Sequence, residues 1–158
     1  MTLFSRTYIV ADTGLTLSKL YNQDTFYDAL DRDLRYARSL VVIESPFITK
    51  KRITRIIPAL QRLQRRGIKI IVNTKPFSER EGDMVRQAIE GVETLQDIGI
   101  EVLMTVGHHR KLAIIDDILY EGSLNILSQN DSCEFMRRIQ SGMLAEQMLD
   151  FIGIRKWL

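Results

Sequence analysis

Three short apolar runs, separated by helical patterns that end in glycine, constrain this chain more than any other feature. "LVVIE" (40–44) is apolar on both faces, as an interior strand is, "IKIIVNT" (68–74) reads as a second buried strand, and "EVLMT" (101–105) reads as a third strand. Between them, "TKKRITRIIPALQRLQRRG" runs from Thr49 to Gly67 and "SEREGDMVRQAIEGVETLQDIG" runs to Gly99. A glycine just past the last periodic residue is a helix stop. An earlier helix opens on Asn22 or Asp24 as its cap and runs to about Arg38. Strand–helix alternation of this kind predicts an α/β protein: a mixed, mostly parallel sheet flanked by helices. Pro58 falls inside the second helix and is expected to kink it or break it in two.

The chain has 158 residues, enough for one ordinary domain with a real core, and no linker or repeat divides it. One domain over 1–158 is expected. A formal net charge of only +2 does not announce a nucleic-acid binder, so a local basic face would have to provide one. Cys133 is the only cysteine, which excludes an internal disulfide. The opening "MTLFSRTYIVADTG" lacks the apolar run of a signal peptide, and no segment approaches the roughly 20 apolar residues of a membrane span. A soluble, cytoplasmic protein with no membrane partner is expected.

After Gly107 the rhythm changes. In "GHHRKLAIIDDILYEGSLN" (107–125), polar and titratable groups sit at both ends of a core-like run. The run reads as a hairpin that folds back at Asp116-Asp117. On a strand, His109 and Lys111 share a face while His108 and Arg110 point the other way. Ser123 and Asn125 share a face as well, just after Gly122, and the hairpin returns them toward the His/Lys end. Glu134, on the next segment, is within reach of an imidazole N–H. "CEFMRRI" reads as one more strand and "GMLAEQMLDFI" as a closing helix. A histidine, a lysine, a hydroxyl and an amide converging on one point suit a phosphodiester, whose anionic oxygens need donors aimed at them as charge builds. Neutral imidazole can attack phosphorus and form a covalent intermediate.

"HRKLAIID" fits His-x-Lys-x4-Asp, and "GSLN" fits the Gly-Ser-x-Asn that follows it. Together, with Glu134 downstream, they resemble the signature of the phospholipase D superfamily, in the form carried by its single-motif bacterial endonuclease and helicase-associated members. The resemblance covers about the last third of the chain. It implies an α/β/α sandwich and a metal-independent phosphodiesterase with no cofactor. In that reading His109 is the nucleophile, Lys111 and Asn125 hold phosphate oxygens, Ser123 assists and Glu134 orients the histidine. Asp116 belongs to the motif and is structural at least as much as catalytic. The spacing departs from the pattern in one place: five residues separate Asp116 from Gly122, where six are expected, and a tighter hairpin turn is needed to absorb the difference.

The leaving oxygen of a phosphodiester needs an acid, so the reaction calls for a second imidazole across the phosphorus. His108 is excluded by strand alternation. A two-fold homodimer that places each His109 opposite its mate supplies the missing group. The substrate is expected to be nucleic acid, DNA over RNA. Lys51, Arg55, Arg62 and Arg66 fall on one arc of their helix at about 100° per residue, opposite Ile53, Ile56, Ile57, Leu60 and Leu63. This stripe reads as a track for phosphates, or more blandly as a solvated face. The alternatives are a phospholipid phosphodiesterase or phosphatidyl transferase, and a nucleic-acid-binding module with weak or lost catalysis. Cys133 reads as a small packing residue, Phe135 as core, and the Asp116-Asp117 pair as a turn rather than a metal site.

Overall fold

The computed structural model describes residues 18–129 and 132–158, so the N-terminal stretch read above for a leader lies outside it. The elements are β1 (Ser18–Asn22), α1 (Phe26–Tyr36), β2 (Leu40–Glu44), α2 (Lys50–Arg65), β3 (Lys69–Thr74), α3 (Asp83–Asp97), β4 (Glu101–Met104), β5 (Leu112–Ile115), β6 (Ile118–Gly122), β7 (Phe135–Gln140) and α4 (Gly142–Ile152). Short 3-10 turns at Phe77–Glu79 and Arg155–Trp157 complete the described chain. Among the described residues no helix is long and apolar enough to cross a membrane.

All strands join one seven-stranded sheet in the order β1-β7-β6-β5-β2-β3-β4. The sheet is mixed, but its balance is the reverse of the one expected. Only β2–β3 and β3–β4 are parallel, and the other four junctions are antiparallel. The reason is connectivity. A parallel neighbour needs a crossover, usually helical, and only α2 and α3 supply one between adjacent strands. Past β4 the chain advances by loops and a hairpin, which deliver antiparallel strands. β1 escaped the sequence reading because it is an edge strand with mostly exposed side chains and carries no apolar pattern.

Alternation along the central strands builds two cores. Val41, Ile43, Ile70 and Val72 pack with Leu30 and Leu34 of α1, Ile56, Leu60 and Leu63 of α2 and Leu95 of α3. Val42, Ile71 and Ile114 face the other way, against Ala145 and Leu149 of α4. The result is a three-layer α/β/α sandwich with three helices on one face and one on the other. Pro58 does not break α2, which runs as a single 16-residue helix. Buried residues on both sides of the proline, Ile53 and Ile56 before it and Ala59, Leu60 and Leu63 after it, hold both halves to the same sheet face.

Candidate active site

The β5–β6 hairpin turns on Asp116-Asp117 alone, with Ile115 paired to Ile118 and Leu112 to Glu121. Asp116 takes a positive φ of 51°, a backbone state that aspartate adopts more readily than most residues. This tight turn absorbs the missing residue of the motif. It brings the Gly122 N–H to the Lys111 carbonyl at 3.3 Å, so the two halves of the motif lie side by side. Gly122 has no room for a side chain. A Cβ there would meet the Phe135 carbonyl oxygen at 2.2 Å and Met136 Cα at 2.9 Å, because β7 runs close beside it in the sheet with Met136 paired to Gly122.

His109 and Lys111 precede β5 rather than lying in it, yet they still share one side. Lys111 Nζ is 2.8 Å from His109 Nδ1 and also donates to the His109 carbonyl at 2.9 Å. Lys111 has only donors, so Nδ1 is the accepting nitrogen, and a neutral ring in this arrangement carries its proton on Nε2. The Ser123 hydroxyl donates a short hydrogen bond to the Glu134 carboxylate and accepts from Phe135 N–H at 3.1 Å. Asn125 Oδ1 is buried and has no partner. Burial, aided by Lys75, pushes the Lys111 ammonium below the usual lysine range, against the opposing pull of Glu134. His108 is 3% exposed, and burial pushes its imidazole below the usual histidine range.

Comparison with known proteins fits this geometry. No protein-family model matches the sequence, and neither does any curated protein. Among solved structures, Nuc from Salmonella typhimurium, a phospholipase D family member, superposes with a TM-score of 0.70 at 19% identity over 85% of this chain and 90% of its own. NucT from Helicobacter pylori gives 0.63 at 20% identity, over 85% and 92%. The fold is that of the phospholipase D superfamily. A phosphatidylserine synthase from Haemophilus influenzae matches at 0.66 and 14% identity, over 86% of this chain but only 36% of the enzyme.

Within this fold, His109 and Lys111 just before β5, Ser123 and Asn125 just after β6 and Glu134 just before β7 all lie at the same end of these three antiparallel strands. Asp116 does not join them, because it sits past the far end of β5. Its carboxylate accepts from the backbone N–H groups of Arg38, Ser39 and Leu40 at 2.7, 2.9 and 3.0 Å, and from the Ser39 hydroxyl at 2.8 Å. Burial pushes that carboxyl up, but the bonds from Leu40, Ser39 and Arg38 outweigh it and leave it below the usual aspartate range. Asp116 is therefore a clamp between the hairpin turn and the start of β2. Part of the expected basic track is likewise spent elsewhere. Arg66 donates to the Arg35 and Ala37 carbonyls at 3.0 and 2.7 Å, closing the end of α1, and Arg62 lies 4.0 Å from Asp31. Both stand at the end of α2 far from the motif. Lys51 and Arg55 are exposed near its start. Cys133 and Phe135, expected as packed residues, are exposed.

The sequence reading passed over a buried network beside the motif. Arg110, between the two motif residues, makes hydrogen bonds of 2.5 and 2.9 Å to the fully buried Glu44. Asn73 donates to Glu44 at 2.9 Å and accepts from Thr105 at 3.0 Å. Glu44 and Asn73 are direct neighbours in the parallel β2–β3 register. A glutamate ending one buried strand and an asparagine near the end of the next were the available signal. Among the described residues no group of three or more His, Cys, Asp or Glu is placed to hold a metal ion.

Proposed function

We propose that this chain is a metal-independent phosphodiesterase that hydrolyses DNA through a covalent phosphohistidine intermediate, in an active site shared by two copies on a two-fold axis. The observation that carries this reading is the Lys111–His109 hydrogen bond, held beside the Ser123–Glu134 pair by the backbone bond from Gly122 to Lys111. An incoming phosphodiester draws the Lys111 ammonium from Nδ1 to its own oxygens, and the Asn125 amide supplies a second donor. Freed Nδ1 takes the ring proton from Nε2, leaving a neutral ring whose Nε2 lone pair turns to phosphorus, and Glu134 stabilises the positive charge that the ring acquires as the Nε2–P bond forms. As the Nε2–P bond forms, the bond to the leaving oxygen breaks, and His109 of the second copy, which enters this step as the imidazolium, protonates that oxygen and becomes neutral. The same imidazole then takes a proton from water, which attacks phosphorus and releases the first histidine.

The likeness to Nuc and NucT over about nine-tenths of their length, 90% and 92%, supports a compact nuclease-type enzyme over a lipid enzyme of which this fold is a minor part. The test is DNA cleavage by wild type and His109→Ala with excess chelator, with the mass in solution measured on the same sample. Cleavage that survives chelation and disappears in the variant is expected, together with the mass of a dimer. Absence of cleavage of any phosphodiester across pH, or a monomeric mass at working concentration, overturns the corresponding half of the proposal.

A further inference from the structure

Beside the motif, a cleft of about 450 Å³ opens between the start of α1, the first turn of α2 and the loop after β6. It adjoins the candidate active site at two points. Leu124 lines the cleft and is flanked in sequence by Ser123 and Asn125. Gln23 lines it and accepts the Glu134 N–H at 3.1 Å. The loop wall is pinned to α2, because Thr49 N–H donates to the Leu127 carbonyl at 2.9 Å and Gln129 N–H to Thr49 Oγ1 at 3.1 Å.

The inner part of the cleft holds an unusual cation. Arg52 is 8% exposed, its guanidinium carbon lies 3.4 Å from the centroid of the Tyr27 ring, and its Nε has no hydrogen-bond partner. Gln129 Oε1, on the pinned wall, is also buried without a partner. Among the described residues no carboxylate forms an ion pair with Arg52, and the charge beside it is the like charge of Arg55. A guanidinium stays protonated at any physiological pH, and burying one without a counter-charge is costly, so the arrangement suits an anion supplied from outside. Arg55, one turn along α2, is exposed at the mouth, and Asp24 and Asp28 stand exposed on the outer rim, where water screens them. Apart from Leu124 and Tyr27 the lining is polar, which suits a phosphate and not an acyl chain.

We infer that this cleft binds a second phosphate of the substrate strand, adjacent to the one presented to His109, with Arg52 as its inner anchor and Arg55 at its mouth. The inference rests on the phosphodiesterase reading and narrows it: the substrate is a polynucleotide with a flanking phosphate, not an isolated diester. The geometry also gives the site a direction, because the 123–129 loop carries Asn125 toward one phosphate and the cleft wall toward the next.

The test compares wild type, Arg52→Gln and Arg55→Gln in two assays. In the first, anisotropy of a labelled single-stranded oligonucleotide is titrated with salt. Arg52→Gln is expected to weaken binding by about tenfold and to flatten the log–log salt slope by about 0.7, the value of one lost phosphate contact on a single strand. In the second, the ratio of kcat/KM for the oligonucleotide to that for bis(p-nitrophenyl) phosphate, which has no flanking phosphate, is expected to fall by a similar factor. An unchanged salt slope in both variants, or equal losses on both substrates, overturns the inference, as does failure of the wild type to bind the oligonucleotide. If circular dichroism shows that Arg52→Gln does not fold, the exposed Arg55→Gln carries the test with the same expected flattening. A wild type that binds with the expected slopes but hydrolyses neither substrate keeps the subsite and removes the hydrolytic reading, so the two failures are distinguishable.

Discussion

The Lys111 ammonium faces the His109 ring across 2.8 Å, Nζ to Nδ1. A donor on that nitrogen places the proton of a neutral ring on Nε2, the atom that must attack. Nitrogen NMR of the ring is therefore expected to show the Nε2-protonated tautomer in the free protein and a shift toward the Nδ1-protonated form in Lys111→Met. A ring already protonated at Nδ1 in the wild type rules out the gating role given to Lys111.

Lys111 must stay charged to hold phosphate, and burial together with Lys75 lowers its pKa while Glu134 raises it. Removing Lys75 takes away one of the lowering influences. Lys75→Met is thus expected to move the alkaline limb of the kcat/KM profile to higher pH, as pH–rate measurements on both proteins would show. A limb that stays in place assigns it to another group.

Asp116 is expected to act on stability far more than on chemistry. Asp116→Asn keeps the tolerance for positive φ but loses a charged acceptor for three backbone N–H groups, a cost of about 2–4 kcal/mol by urea unfolding. Rate per folded molecule falls far less than in His109→Ala. Because the folded pKa lies below the unfolded one, this stabilisation is complete above about pH 4 and is lost as pH falls through the folded value. A variant as stable as wild type at neutral pH removes the clamp.

Gly122→Ala would force β6 and β7 apart, since the new methyl would lie 2.2 Å from the Phe135 oxygen. A loss of about 3 kcal/mol is expected, with Ser123 and Glu134 displaced and activity falling alongside. Thermal unfolding and a kinetic assay on the same variant check both.

Arg110→Met leaves the fully buried Glu44 carboxylate with Asn73 as its remaining side-chain donor. Breaking such a pair from one side costs about 3–5 kcal/mol, less to the extent that water follows through the space vacated by the partly exposed arginine. The double variant Arg110→Met with Glu44→Met is expected to recover part of that loss, and an additive double-mutant cycle counts against coupling.

Much of this architecture was readable from the chain because it rests on local, periodic chemistry. Runs apolar on both faces specified β2 and β3 as interior strands, glycines at 67 and 99 marked helix ends, and the polar residues flanking "LAIIDDILYEG" marked a hairpin with chemistry at one end. What needed the folded molecule was everything set by residues distant in sequence. Whether β5 ran parallel or antiparallel to β2 depended on the route taken by the chain, and side-chain patterns do not encode a route. The closeness of β7 to Gly122, the burial of Arg52 over Tyr27 and the Glu44–Arg110 pair each join segments that only packing brings together. The basic stripe on α2 looked uniform because helical periodicity records direction around an axis and not what lies at each end. Tertiary structure divided it, closing α1 with Arg66 and leaving Arg55 beside the cleft.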